Sequence, residues 1–416
     1  MKKKKRILSI IACMLVLAIG SSAYGVQEEE FSPHSTFSFG PQAHEAQPKT
    51  IDDFIPLFAE QLRRYSEVAP ELWPDNAVVN QSAVVEDVDT NRLWLIAPDG
   101  TVKPLSEEEA DSMGVIRRDR ASDFSFFDGG TYITVSESEL NDQSRWKKYI
   151  HLGTYDTLIW LTHESFHTLE QSKWAVVDAE DIINRDREEF LEDTLARAKR
   201  DLLQRQLLKA AGAPEDTQLI LEALATYESW KTQFPEDYRN ALYFDRIEGT
   251  AFYYELVSSL YSAYPDQVTN KSDLDRALAQ LTGHEGASVY LRLGVASEGY
   301  TVGGIACILL DRLESDWKER IINDPKATPI EMLSQHFSGQ TLPEPQQLTE
   351  SDIDLVKERI LGKYILLVDA KKRGLQMLDD MLQGLPKEQQ GLIEDYRQEA
   401  QTDLENLEKL IQELQD

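Results

Sequence analysis

The chain has 416 residues, with 73 acidic side chains against 43 basic ones and a formal charge of −30. Its length and its 41% of hydrophobic residues are enough to bury a large core, so general disorder is excluded. A surface this negative is a poor partner for nucleic acid, whose phosphates it repels, and solubility is the plain explanation of the charge. Of two cysteines, Cys13 lies in the N-terminal apolar segment, and its removal leaves Cys307 with no partner for an intramolecular disulfide.

Residues 1–25 read as an export signal: Lys2 to Arg6 are basic, Ile7 to Gly20 are apolar, and the small residues Ser21, Ser22 and Ala23 precede a predicted cleavage after Ala23 or Gly25. The alternative is a membrane anchor through residues 7–20, but that run is shorter than the roughly 20 residues a spanning helix needs. The mature chain is therefore expected to be secreted or periplasmic, without a stable membrane span. Residues 26–50 mix acids with Pro33, Gly40, Pro41 and Pro48 and predict a flexible leader.

Helical spacing begins at Ile51 and runs to Tyr65 through Phe54, Ile55, Phe58 and Leu62. Between Ala77 and Ser136 the pattern turns to β, with strands at Ala83–Val85, Arg92–Ile96 and Thr131–Val135 and turns at Pro98-Asp99-Gly100 and Asp128-Gly129-Gly130. Past Thr154 the chain reads as helical. One helix is predicted from about Asp156 to Trp174, with Thr154 or Asp156 as its N-cap, and a long charged one from Asp178 to Ala211, stopped by Gly212. Two more begin at Pro214-Glu215-Asp216 and Pro235-Glu236-Asp237, where proline and acids suit a first turn. From Glu350 on, the pattern is a helical hairpin broken at Gly384-Leu385-Pro386, with Leu404, Leu407, Ile411 and Leu414 forming a seam that is expected to pack within the molecule.

The predicted Asp156–Trp174 helix carries His163-Glu164-Ser165-Phe166-His167. Histidines at i and i+4 project from one face of a helix about one turn apart, so both can bind one zinc ion, while Glu164, one step round, can act as general base on a water there. With seven histidines in the chain, such a pattern arises by chance in about one sequence in a hundred. Leu158, Ile159, Trp160, Leu161, Phe166 and Leu169 make the helix strongly apolar, so its polar triplet heads inward and needs partners. A hydrogen-bonded pair of core histidines is the competing reading.

Catalytic zinc takes three protein ligands and leaves a fourth position open. Glu248, in Arg246-Ile247-Glu248-Gly249-Thr250-Ala251, is the candidate third ligand, with Glu255 or His284 next in line; pairing of Glu248 with Arg246 or Arg292 is the alternative. Gly249 in mid-helix costs about 1 kcal/mol relative to alanine, and close approach to the histidine helix is an expected reason. Glu255, on the face of Glu248, and Asp245, three positions back, are candidates to orient a ligand histidine from behind. A donor for the oxyanion is also needed, and Tyr300, among the glycines of Gly299 to Gly304, is the first choice, with Tyr253, Tyr254 and His284 competing.

The histidine segment followed far downstream by Glu248-Gly249-Thr250-Ala251 resembles the gluzincin zinc metallopeptidases, in which an HExxH helix is followed by an EGxA helix. The resemblance covers about Ala77 to Ile322. It implies that His163, His167 and Glu248 bind one zinc ion, that Glu164 is the catalytic base, and that an edge strand of a small sheet lines the cleft. Tyr132 to Val135 is the expected edge strand, to which an extended peptide or protein substrate can add. The stretch between His167 and Glu248 is longer than the family pattern, and the helices of an insertion at about 178–233 are expected to roof the cleft.

The fold expected is α+β and predominantly α: a zincin-like catalytic domain at 51–345, with a small N-terminal sheet followed by a large helical part, then a C-terminal helical hairpin at 350–416. The activity expected is hydrolysis of peptide bonds by an exported zinc enzyme. The rivals are a zinc hydrolase of a non-peptide amide or ester, and a non-catalytic exported binding or assembly protein with a structural metal.

Overall fold

A computed structural model of the chain describes residues 48–78, 80–118, 120, 121, 123–141, 156–175, 193–283, 290–384 and 387–415. The predicted signal, most of the leader, the 153–155 segment, the 178–192 part of the predicted charged helix, and His284 lie outside them. The fold is α+β and mostly α, with a small sheet towards the N-terminus, as the residue patterns predict. Among the described residues no helix is long and apolar enough to cross a membrane.

Contacts divide the chain into two compact units, the larger comprising Phe31–Phe190 and Lys199–Gln347. In it, α1 (Ile51–Leu72) starts at Thr50, whose hydroxyl accepts the Asp53 N–H at 3.2 Å. It buries Phe54, Phe58, Leu62 and Tyr65 and continues past the predicted end at Tyr65, because Leu72 and the following Trp73 also enter the core.

The sheet has five strands in the order β3-β2-β1-β5-β4: β1 (Ser82–Asp87), β2 (Arg92–Ile96), β3 (Val102–Leu105), β4 (Phe124–Phe127) and β5 (Gly130–Val135). β1 and β5 pair in parallel, and every other pair is antiparallel. Successive side chains point to opposite faces. Ala83, Val85 and Ile133 therefore enter the main core, while Val84, Leu93 and Tyr132 pack on the other face against Ala110 of the short helix α2 (Glu107–Ser112). β5 is flanked on both sides, which corrects the expectation that Tyr132–Val135 is an edge; the edge on that side is β4. A single turn, α3 (Glu137–Leu140), follows β5.

The helical part comprises α4 (Asp156–Ser165), α5 (Thr194–Gly212), α6 (Thr217–Gln233), α7 (Pro235–Ala263), α8 (Lys271–Gly283), α9 (Val295–Leu313), α10 (Trp317–Asn323) and α11 (Pro329–His336). Pro235 is in the first turn of α7, as predicted, whereas Pro214 precedes α6, which Asp216 caps by accepting the Gln218 N–H at 3.1 Å. The centre of the unit is the α7–α9 pair. A Cβ on Gly249 would come within 2.5 Å of the Gly303 Cα, and one on Gly303 would collide with the Asp245 carbonyl. Gly249 thus serves close approach to α9, not to the histidine helix as expected. Leu203 and Leu207 of α5 and Leu224, Tyr227 and Trp230 of α6 belong to the main core. Residues 199–233 of the predicted insertion thus contribute to the core of this unit.

The smaller unit contains the hairpin of α12 (Glu350–Gly384) and α13 (Lys387–Gln415), which break where the sequence predicts. Leu404 and Leu407 are buried in it, and Lys371 pairs with Asp403 at 3.1 Å.

Candidate metal centre

The site is built by α4 and α7. α4 is held by its apolar side chains Leu158 and Leu161 and by Ser165, whose hydroxyl meets Thr131 of β5 at 3.1 Å. After Ser165 the helix widens into a π turn, Phe166–Glu170, and ends in a 3₁₀ turn at Lys173. Such turns occur often at functional sites, because they re-aim side chains that a regular helix would turn away. Beneath the π turn, Phe166 and Trp174 pack on Trp73 with ring centroids 4.9 and 5.6 Å away.

His163 and His167 face the same way from this segment, and their Nε2 atoms are 3.0 Å apart. Glu248 of α7 brings its Oε2 to 3.4 Å from the first and 3.3 Å from the second. The opposite edge of each ring is engaged. His163 Nδ1 donates to Glu255 Oε2 at 3.0 Å, and His167 Nδ1 donates to Gln171 Oε1 at 2.6 Å. The amide of Gln171 is oriented by its other end, where Nε2 donates to the Ile247 carbonyl at 2.7 Å and to Thr250 Oγ1 at 2.8 Å. Its oxygen therefore faces His167, and both Nδ1 atoms carry hydrogens.

It follows that in the neutral rings both Nε2 lone pairs point at each other and at a carboxylate. Three electron-pair donors with no hydrogen between them call for a cation. Glu248 Oε2 is buried with no hydrogen-bond donor of its own. Three donors held about 2.0–2.1 Å from a tetrahedral ion lie about 3.3–3.4 Å apart, close to the observed separations, so the residues fit a small ion such as zinc. Without a metal the cation is a proton. Burial favours the neutral His163 ring, but bonds to Glu248 and Glu255 and the charges of Glu255 and Glu164 outweigh it and push its pKa up to about 10. Burial likewise disfavours the Glu248 carboxylate, yet the two histidines hold its pKa well below the usual range.

Access is one-sided. The His163 side chain is 6% exposed, but those of His167 and Glu248 are 21% and 19% exposed, so one face of the cluster meets solvent. Glu164 is half-buried beside it and has no hydrogen-bond or ion-pair partner among the described residues.

The remaining predicted residues divide. Glu255 accepts from His163 Nδ1. Asp245 does not touch the histidines; it faces Arg200 of α5, because three positions before Glu248 the helix surface has turned towards that guanidinium. Tyr300 of α9 lies with its ring parallel to His163, centroids 5.4 Å apart. Tyr253 and Tyr254, its competitors, point into the core, the first bonded to Asp311 and the second to Tyr65 at 2.7 Å and Asn76 at 2.9 Å. Arg246 donates to the Ala175 and Ile321 carbonyls and leaves Glu248 to the histidines. Gln171 is a site residue that the sequence reading misses. Its signal is that it continues the row His163, His167 by a further four positions. Scanned against family models, curated proteins and solved structures, the chain matches none of them.

Proposed function

We propose that the protein is an exported zinc-dependent hydrolase, a metallopeptidase of gluzincin type, in which His163, His167 and Glu248 hold one zinc ion. The observation that carries this reading is the association of a three-donor cluster, open on one side, with a carboxylate that has no partner of its own among the described residues. A structural metal has no use for Glu164; hydrolysis does. Zinc bound there supplies Lewis-acid activation of a water and of the scissile carbonyl.

The residues of the chain do the rest. Glu164 takes a proton from the attacking water at its carboxylate and delivers it to the leaving amine. Glu255 and Gln171 fix the tautomer and direction of the two ligand rings, so that their Nε2 atoms stay available. Tyr300, parallel to the His163 ring, is the donor proposed for the developing oxyanion.

The test is a digest of a mixed peptide library, read by mass spectrometry, with zinc-loaded native protein and with Glu164→Gln. The native protein is expected to cleave, and the variant to keep its zinc while cleaving at least about 10²–10⁴-fold more slowly. Equal cleavage by the two, or an intact library with the zinc-loaded native protein, overturns the reading.

A further inference from the structure

Arg292 stands in the segment that leads into α9. Its backbone is clamped by one buried side chain: Gln204 Oε1 accepts the Arg292 N–H at 2.9 Å, and Gln204 Nε2 donates to the Arg292 carbonyl at 3.0 Å. The guanidinium lies over the ring of Tyr300 at 4.8 Å and over that of Phe252 at 5.4 Å. Tyr300 in turn is the ring stacked on His163.

The chain carries 73 acidic side chains against 43 basic, yet among the described residues none of those acids pairs with Arg292. Its Nε is buried without a hydrogen-bond partner. Stacking on aromatic faces satisfies the plane of a guanidinium but leaves its N–H groups, which lie in that plane, unspent. A buried N–H without an acceptor leaves its desolvation cost unmet, and an anion brought by a ligand would meet it.

We infer that Arg292 binds a substrate carboxylate, and that the substrates are peptides ending in a free carboxyl group one or two residues beyond the bond to be cut. The inference rests on the hydrolase reading of the same site. The steps of 4.8 and 5.4 Å from guanidinium to Tyr300 and from Tyr300 to His163 set the scale, since one extended residue spans about 3.3–3.6 Å. The fork of an arginine takes a carboxylate through two parallel bonds, which fixes the end of the chain and so the position of the scissile carbonyl. Protein interiors and long loops are then poor substrates, and trimming from the carboxyl end is the activity.

The experiment measures binding, so that it does not depend on turnover. Zinc-loaded Glu164→Gln protein is titrated with an N-blocked tripeptide as the free acid, with the same peptide as its amide, and with an amide whose last residue is glutamate. The free acid is expected to bind about 10–100-fold more tightly than the plain amide, the range for charge-assisted bonds. Arg292→Gln in the same protein should abolish that difference, and Arg292→Lys should restore part of it. Equal binding of acid and amide overturns the inference without any variant of Arg292, and a glutamate amide that binds as well as the free acid overturns the choice of the terminal carboxylate. If native protein fails to hydrolyse any peptide while the acid still binds through Arg292, the hydrolase reading falls and the carboxylate site stands.

Discussion

Two carboxylates three positions apart on α7, one buried and one half-buried, are neutralised in opposite ways. Asp245 faces Arg200, a fully buried guanidinium that donates to it at 2.5 and 3.3 Å, lies 3.5 Å from Glu298 and stacks on Trp230 at 4.5 Å. Glu248 faces two imidazoles, which bring lone pairs rather than charge, and its cluster opens to solvent. Both regions thus hold an acid against nitrogen partners. What separates the two clusters is the source of the cation: the chain itself in the first, a proton or a metal from solution in the second.

The difference can be broken from either side. The largest effect on stability is expected for Arg200→Leu, which leaves Asp245 and Glu298 buried without their cation and should cost about 3–5 kcal/mol, in zinc-loaded and metal-free protein alike. Chemical denaturation with and without zinc checks it, and a loss confined to the zinc-loaded form would erase the distinction. Next comes Gln171→Leu, which frees the His167 ring to turn. Zinc affinity measured by chelator competition should fall about 10–100-fold with the fold intact, and no change would remove Gln171 from the site.

A third test is the dependence on pH. Because the His163 pKa in the metal-free fold is raised from near 6.5 to about 10, its contribution is complete below 6.5 and is lost as pH rises through 10. Thermal melts of metal-free protein should decline across that interval, and those of zinc-loaded protein should not follow, since the ion keeps the ring in place without a proton. Parallel declines would argue against a shared site.

Helical spacing makes most of the centre readable from sequence. His163 and His167 at i and i+4, and Glu248 and Glu255 seven positions apart, share faces whatever the fold around them. Asp245 is misread because its partner comes from α5, far away in the chain, and no local pattern announces Arg200. Gly249 signals a close approach, but only the packed helices reveal that α9 is the neighbour. β3 and β4 escape notice for physical reasons. The first is short and contains Pro104, which an edge strand tolerates, and the second, Phe124-Ser125-Phe126-Phe127, lacks clean alternation. With β4 unseen, β5 reads as the edge.

Zinc titration of metal-free protein, native against Glu248→Ala, tests the central claim most directly. The native chain should take up one zinc ion with release of protons, and its melting temperature should rise with occupancy; at free zinc about 1,000-fold above the dissociation constant the gain is about 4 kcal/mol. The variant should bind far more weakly and show little rise. A native protein that binds no zinc, or a variant that binds it equally well, would contradict the assignment of His163, His167 and Glu248 as the metal centre.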